Sequence, residues 1–294
     1  MKSVRPILPA SSRKATTAER ERPKADGDLV SWMAGTQLLA RAVSLLLYLR
    51  EREEAVTVGE LAGALNVPVN TVYRLVRTLE MGGLVDRSHR PYVSLGLRLM
   101  DLGMAKQRQV ARELAPIAMP ALESLMAATG ETSLLVMLTG ARAICILAVE
   151  SSRTIRLSYQ PGQVFPLYAG ASGKVMLPWL SAQLMETAIA QGDGQVLASG
   201  RRLTAPDLRS EMRSIRAAGY CVTHGDLDTD ASAVAAPVFA RNGQIFAAVS
   251  VAGHETGFTP DRLPALIENV LAAAAATSRG VSIQRPAGTA EERQ

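Results

Sequence analysis

The feature that most constrains this sequence is a pair of short helical patterns separated by a tight turn, TVGELAGALNVPVNTVYRLVRTLEMGGLV at residues 57–85. Thr57 and Glu60 have the spacing of a capping box, in which each side chain satisfies a backbone N–H group at the start of a helix. Asn66 tolerates the left-handed backbone that a sharp turn requires, and Pro68 suits the first turn of the next helix. The stretch therefore predicts two helices joined by a tight turn.

The second of these helices has one apolar face and one polar face. Its apolar residues recur every three or four positions, as on a buried helical stripe; they are Val69, Val72, Leu75, Val76 and Leu79. The opposite face carries Asn70, Thr71, Tyr73, Arg74 and Arg77. Gly82 and Gly83 follow, and glycines accept the positive φ at which helices often end. The polar face is either simply solvated or shaped to contact a partner.

The segments before and after these two helices complete the element order of a known fold. From Gln37 the apolar positions have a helical period that ends at the charged run REREE, residues 50–54. After the two glycines, the segments 84–87 and 92–95 are short and extended and are joined by SHRP. Three helices followed by a hairpin are the order of a winged helix–turn–helix, which we predict for residues 35–96.

A winged helix with a basic polar face favours binding to DNA. Arginine can bind guanine, and asparagine adenine, through paired hydrogen bonds in the major groove. Residues near the N-terminus of a recognition helix reach the bases, so we expect base contacts from Asn70, Thr71 and Arg74. Phosphate contacts are expected from Arg41, Arg77, Arg87 and Arg90, and Tyr73 can bond a phosphate or touch a thymine methyl group. The alternative is a protein-binding winged helix with a solvated face.

The bulk composition fits a globular protein. The chain has 294 residues, of which 48% are hydrophobic and 20% charged, and a net charge of +5 that is compatible with a polyanionic partner. Two cysteines cannot form a disulfide framework and suit a reducing compartment. No apolar run approaches the ~18 residues that span a bilayer. We therefore expect a cytoplasmic protein of about two domains, with no membrane partner.

The segments on either side of the winged helix differ in composition and are predicted to have different structures. Residues 1–34 mix Pro, Ser, Thr and charges without periodicity, which predicts a disordered basic arm that either adds weak phosphate contacts or is simply solvated. An amphipathic segment at 97–113 predicts a linker helix that could also serve as a dimer contact. Pro116 and Pro120 mark the passage to a second domain with its own helix at about 117–128.

The second domain, predicted for residues 114–282 with a tail at 283–294, changes to the period of strands. Strand-like runs lie at 133–138, 143–150, 154–159, 220–223, 232–239 and 245–252. Helices are expected around 172–180 and 181–190, after Pro206, and over about 260–279. Strands adjacent in sequence, with helices grouped around them, predict a mainly antiparallel sheet flanked by helices. The fold class of the chain is then α+β.

A run of small residues, PLYAGASGKVML at 166–177, is the clearest motif of the second domain. It is not a P-loop, because Tyr168 stands at the first glycine position and Val175 follows Lys174. Backbone N–H groups at the start of a helix there could receive a carboxylate. Close packing of a helix on a sheet explains the same small residues without a ligand.

The sequence lacks the residue patterns of an enzyme or a metal site. Cys221 and His224 are three apart on a predicted strand and so point to opposite faces. Cys145 lies in an apolar strand and is expected in the core. The histidines and cysteines lack metal-ligand spacing, and the acidic loop HGDLDTDAS at 224–232, expected at a rim or surface, lacks the downstream glutamate of an EF-hand. We predict no catalytic residue, no metal and no cofactor.

Three stretches together resemble the IclR family of bacterial transcriptional regulators. They are VPVNTVYRLVRTLEMGGLV at 67–85, PLYAGASGKVML at 166–177 and VAAPVFARNGQIFAAVSVAG at 234–253. The resemblance, which runs from about Gln37 to Ser282, implies a winged helix–turn–helix, a linker helix and a GAF-like effector domain. It also implies homodimers, often paired into tetramers, that bind promoter DNA and respond to a small-molecule effector, frequently an organic acid or an aromatic metabolite.

The resemblance also implies a set of effector-binding residues. They are Ala171, Ser172, Thr223, Ala233, Ser250 and Ala252. Thr223 departs from the family, because this position is often acidic in relatives, and Ala233 and Ala252 are apolar where some relatives have Cys or Ser. The departures favour a bulkier or less polar ligand than a glyoxylate-sized acid. Two alternatives stay open, a constitutive DNA-binding regulator without a ligand and an enzyme that uses the GAF-like domain.

Overall fold

The computed structural model describes residues 36–281, apart from residues 53, 88, 90 and 154–156. The predicted arm at 1–34 and the tail at 283–294 lie outside the described residues. Contacts divide the chain into two compact units, with the division between Asp101 and Leu102. The domain boundaries drawn from the sequence stay predictions.

The first unit contains three helices and a three-stranded sheet. The helices are α1 (Gln37–Arg50), α2 (Val58–Leu65) and α3 (Val69–Met81), and the strands are β1 (Val56–Thr57), β2 (Val85–Asp86) and β3 (Tyr92–Leu95). Strand β3 lies between β1 and β2 and pairs antiparallel with both. This is the predicted winged helix–turn–helix, with β1 as a strand that the sequence did not predict.

The turn between α2 and α3 forms as its residue types predict. The Glu60 backbone N–H donates to Thr57 Oγ1 at 3.2 Å, and the Thr57 N–H donates to the Glu60 carboxylate at 2.6 Å, which completes the capping box. Asn66 has a φ of 51°, in the left-handed region. Pro68 immediately precedes α3, where its carbonyl accepts from the Thr71 N–H at 2.8 Å and its missing N–H leaves no helical bond unmade.

One face of α3 is held by the core of the first unit. Val72, Leu75, Val76 and Leu79 are buried together with residues of α1, α2 and the sheet. Val69 was predicted to belong to this stripe but is 46% exposed, because the helix begins there, beyond the edge of the core. Burial of one face fixes the helix and leaves its polar face in solvent.

A single long helix stands where the sequence predicted two. Helix α4 (Arg98–Thr129) runs without a break through Pro116 and Pro120, so the predicted end of a linker helix at 113 and a separate helix at about 117–128 are wrong. The prolines remove two internal backbone hydrogen bonds. The helix persists because an apolar stripe, Leu114, Ala118, Leu122 and Leu125, is buried in a core shared with the sheet of the second unit.

The second unit is built on a six-stranded antiparallel sheet. Its strands are β4 (Thr132–Thr139), β5 (Arg142–Val149), β6 (Val164–Pro166), β7 (Cys221–His224), β8 (Ala231–Phe239) and β9 (Ile245–His254). They lie in the order β6-β5-β4-β9-β8-β7, and every neighbouring pair is antiparallel. The predicted antiparallel sheet is thereby confirmed.

The strand predicted at 154–159 is wrong over the residues that are described, since 157–159 have no strand structure. The positions beside β5 are taken by β6, which follows the turn at Pro161 and Gly162. Tyr159 is buried with its ring 5.7 Å from that of Phe165. The alternating apolar residues that predicted a strand are therefore explained by burial of side chains from an irregular segment. They do not reflect pairing of this segment with a neighbouring strand.

Helices cover both faces of this sheet, which confirms the α+β class. Helices α5 (Ala171–Lys174), α6 (Ala182–Gly192) and α7 (Ala205–Ala218), with a 3₁₀ turn at Leu177–Trp179, contribute to one core. Helices α4 and α8 (Leu263–Gly280) contribute to the other. Successive residues of a strand point to opposite faces of the sheet, so Leu134 lies in the core with α5, α6 and α7 and Leu135 lies in the core with α4 and α8. Within the described residues, no helix is long and apolar enough to cross a membrane.

Candidate DNA-reading surface and effector site

The polar residues of α3 lie together on the side of the helix away from its core. We call this set, Asn70, Thr71, Tyr73, Arg74 and Arg77, the reading surface. Thr71 is half-buried and the other four are exposed. In the part of the chain that the structure describes, no hydrogen bond or ion pair engages the side chains of Asn70, Arg74 or Arg77. These three lie at i, i+4 and i+7, so they form one stripe of available donors.

The remaining residues predicted to contact DNA have different surroundings. Arg41 is half-buried on α1, and Arg90 lies outside the described residues. Arg87 follows β2 and turns back onto α3, where its guanidinium lies 5.7 Å from the centre of the Tyr73 ring. Its Nη1 is 3.8 Å from Glu80 Oε2, and only 13% of its side chain is exposed. Arg87 is therefore not the extended wing cation that the sequence suggested, and its phosphate contact stays a prediction.

The strand residues predicted to bind the effector lie on one face of the second sheet. Thr223 pairs with Ala233 and Ala233 pairs with Ala252, so these residues form a row across β7, β8 and β9. Ser250 is two residues before Ala252 and points to the same face. The row carries small, uncharged side chains, of which Thr223 and Ala252 are buried and Ala233 is half-buried.

Helix α5 brings the other two predicted residues to this face. Ser172 Oγ donates to Ser250 Oγ at 2.8 Å, and Ala171 is buried in the core on the same side. We call Ala171, Ser172, Thr223, Ala233, Ser250 and Ala252 together the small-residue face. A Cβ atom on Gly173 would lie 2.5 Å from the Pro166 carbonyl oxygen, so close packing of α5 on β6 requires that glycine. The Ser172 and Ser250 hydroxyl groups and the neighbouring methyl groups give this face both polar and apolar atoms.

A buried ion cluster beside α5 is the main feature that sequence reasoning missed. Lys174 is 2% exposed, and its Nζ lies 2.8 Å from Asp226 Oδ2 and 2.8 Å from Glu211 Oε2. The Gly170 N–H also donates to Asp226 Oδ2 at 3.0 Å. Asp226 therefore binds both ends of α5. Of the acidic loop expected at a rim or surface, Asp228 and Asp230 are exposed, but Asp226 is buried because it pairs with a lysine far away in sequence.

Both cysteines are buried side chains of the second unit. Burial raises the pKa of Cys145 to about 12, and burial likewise raises the pKa of Cys221 to about 12. His224 is exposed at the end of β7, with Nδ1 2.8 Å from Ser232 Oγ, and does not meet Cys221. Among the described residues, no group of three or more His, Cys, Asp or Glu side chains could hold a metal ion.

We expect both thiols to be unreactive in the folded chain. The thiolate is the nucleophilic form, and a thiol with a pKa near 12 is ionised at only about one part in ten thousand at pH 8. Titration with an aromatic disulfide reagent at pH 8 should release almost no chromophore from the native protein. The same titration in guanidinium chloride should report both cysteines. Rapid labelling of either thiol in the native protein would contradict the burial described above.

The first unit is a winged helix whose recognition helix exposes a polar and basic face. The second domain carries the small-residue face. Together they define a DNA-binding regulator with a separate candidate site for a small ligand. Comparison with known families makes the assignment specific. The IclR helix–turn–helix domain matches residues 38–89, and the bacterial transcriptional regulator IclR C-terminal domain matches residues 108–279. The chain belongs to the IclR family and is a DNA-binding transcriptional regulator of that type.

Individual relatives agree with this assignment. The HTH-type transcriptional regulator KipR of Bacillus subtilis (strain 168) is 33% identical over 236 residues, which cover 80% of this chain and 94% of KipR. The crystal structure of Thermotoga maritima IclR is 26% identical with a TM-score of 0.55, covering 82% of this chain and 97% of that one. An IclR homologue from Microbacterium hydrocarbonoxydans, solved with 4-hydroxybenzoate, shares the fold at 22% identity, a TM-score of 0.54 and coverage of 83% and 98%.

Proposed function

We propose that this regulator binds promoter DNA through the reading surface, and that a small organic acid or aromatic molecule bound at the small-residue face changes its affinity for DNA. The observation that carries the proposal is the stripe of exposed side chains at Asn70, Arg74 and Arg77, which no described residue engages. Asn70 and Arg74 lie in the N-terminal half of α3, where base contacts are made. Arg77 lies further along the helix and acts as a phosphate anchor.

Arg77→Ala is expected to weaken binding to all duplexes by a similar factor. Each phosphate that a protein neutralises contributes about −0.9 to the slope of log K against log salt, so the variant should lose about one unit of slope. Fluorescence anisotropy with several unrelated duplexes across a potassium chloride series measures both quantities. A loss confined to one DNA sequence would contradict the anchor role.

Asn70→Ala is expected to behave differently, because a base contact carries sequence information. The variant should lose about 1–3 kcal/mol of discrimination at one base position and keep the wild-type salt slope. Selection of preferred sites from a random duplex library, with wild type and variant in parallel, shows which position relaxes. A uniform loss of affinity with unchanged sequence preference would overturn the base-reading role.

The effector part of the proposal is a two-state mechanism. A ligand shifts an equilibrium only by its difference in affinity for the two states, so the effector must bind the DNA-competent and DNA-incompetent arrangements unequally. The uncharged side chains of the small-residue face support a ligand with an apolar body. The relative solved with 4-hydroxybenzoate supports an aromatic acid as the first class to test.

A thermal-shift screen of small organic acids and aromatics, 4-hydroxybenzoate included, tests this part. A ligand that binds the native state raises the melting temperature, and a hit should then change the affinity for DNA. Ala233→Leu, which fills the half-buried centre of the small-residue face, should abolish the shift while DNA binding without ligand is retained. If no compound changes stability or DNA affinity, the constitutive alternative is favoured.

We further propose that the protein acts in the cytoplasm as a homodimer, which can pair into a tetramer. Support comes from its function on DNA and from the exposed apolar side chains of Met100, Leu102 and Met104 on α4. Light scattering coupled to gel filtration measures the oligomeric state. The enzyme alternative is disfavoured because the relatives found by comparison are named as regulators.

A further inference from the structure

The packing of Arg87 on Tyr73 bears on how the reading surface is organised. The distance of 5.7 Å from the guanidinium carbon to the ring centre is within the range of a cation–π interaction. Tyr73 itself is 46% exposed, whereas the Arg87 side chain is 13% exposed. At this point of the reading surface, the solvent therefore contacts the Tyr73 ring more than the Arg87 guanidinium.

Two details describe the surroundings of the Arg87 guanidinium. Glu80 lies 3.8 Å from the Arg87 guanidinium and offsets its charge. The Arg87 Nε atom is buried and has no hydrogen-bond partner among the described residues. To reach a phosphate the guanidinium would have to leave both Tyr73 and Glu80, so in this arrangement it has little charge to offer DNA.

Tyr73 occupies a position on α3 from which its ring affects the neighbouring contacts. It is three residues after Asn70 and four before Arg77, and side chains with these spacings are neighbours on a helix surface. The orientation of the ring therefore sets how closely DNA can approach both of them. A side chain that restricts the ring lowers the conformational entropy lost when DNA binds.

We propose that Arg87 is a positioning residue of the reading surface, which fixes the Tyr73 ring and does not itself neutralise a phosphate. This inference rests on the proposed contact between DNA and α3 and replaces the phosphate contact expected for Arg87 from the sequence. The contact forms with and without DNA, so the ordering that it supplies contributes at most its own free energy, and its loss weakens DNA binding by no more than about two- to fivefold.

Salt dependence separates an orienting role from a phosphate contact. The full chain is titrated onto a duplex of arbitrary sequence across a potassium chloride series, as wild type, Arg87→Gln and Arg77→Gln. The two substitutions remove the same charge from the same unit. Arg77→Gln should lose about one unit of salt slope, whereas Arg87→Gln should bind about two- to fivefold more weakly with the wild-type slope.

A double-mutant cycle tests whether Arg87 acts through the ring. Arg87→Gln should weaken binding in the wild-type and Tyr73→Phe backgrounds, which keep the ring, and should have no further effect in a Tyr73→Ala background. Thermal melts of each variant establish that the domain is folded. A loss of slope in Arg87→Gln, additive effects with Tyr73→Ala, or full affinity of Tyr73→Ala would each overturn the proposal. Failure of the wild-type chain to bind any duplex would reject the DNA role of α3 itself.

Discussion

Lys174→Met is expected to lower the free energy of unfolding by about 3–5 kcal/mol. The substitution removes the ammonium group that lies 2.8 Å from Asp226, a carboxylate whose side chain is 6% exposed. An isolated buried charge is not solvated by water and has no counter-ion, which is why breaking such a pair is far more destabilising than replacing it entirely. Chemical denaturation of the full chain, followed by circular dichroism, measures the loss.

Two further variants test the physical cause of that loss. Lys174→Met combined with Asp226→Asn removes both charges and keeps an acceptor for the Gly170 N–H, so it should recover part of the stability. Arg201→Met removes the exposed end of the same cluster, where the arginine side chain is 46% exposed, and should cost less than about 1 kcal/mol. Equal costs for Lys174→Met and Arg201→Met would show that burial of the lysine does not matter.

Leu122→Ala should have the second large effect, a loss of about 2–5 kcal/mol. Leu122 is fully buried in the core that holds α4 against the sheet, and its carbonyl accepts from Ser133 Oγ at 2.7 Å. Truncation leaves a cavity as well as losing buried apolar surface. The helix depends on this packing because its two prolines remove backbone hydrogen bonds.

Glu123→Ala, at the next residue of the same helix, is the matched control. Glu123 is exposed, so truncation to alanine there should alter stability by no more than about 0.5 kcal/mol. Both variants are compared by chemical denaturation in one buffer. A Leu122→Ala loss as small as that of Glu123→Ala would mean that α4 is not held by the buried stripe.

Local chemistry made much of the fold predictable. The capping box at Thr57 and Glu60 and the left-handed turn at Asn66 involve residues close in sequence, so their geometry follows from the residue types. Five of the six described strands of the second sheet, all except β6, were recognisable from their apolar runs. The family resemblance, and not the residue pattern, supplied the six residues that the sheet and α5 bring together.

The helix boundary at the prolines and the burial of Lys174 were missed for a different reason, since both depend on partners distant in sequence. Pro116 and Pro120 predict a helix boundary by local rules, but packing of the flanking apolar residues on the sheet overrides them. Lys174 and Asp226 form a salt bridge although they are far apart in sequence, and neither their spacing nor their neighbouring residues indicate this pairing. The phosphate contact of Arg87 stays a prediction, and only the fold shows that its side chain lies against Tyr73 and Glu80.

Two different roles fall to the five residues 170–174 at α5. Gly170 and Lys174 anchor the helix to Asp226, whereas Ala171 and Ser172 contribute to the small-residue face. Substitutions at 171 and 172 can therefore change that face while the anchoring bonds are preserved. A library randomised at these two positions, with Gly170, Gly173 and Lys174 held constant, accordingly tests whether the small-residue face sets the ligand preference of this regulator.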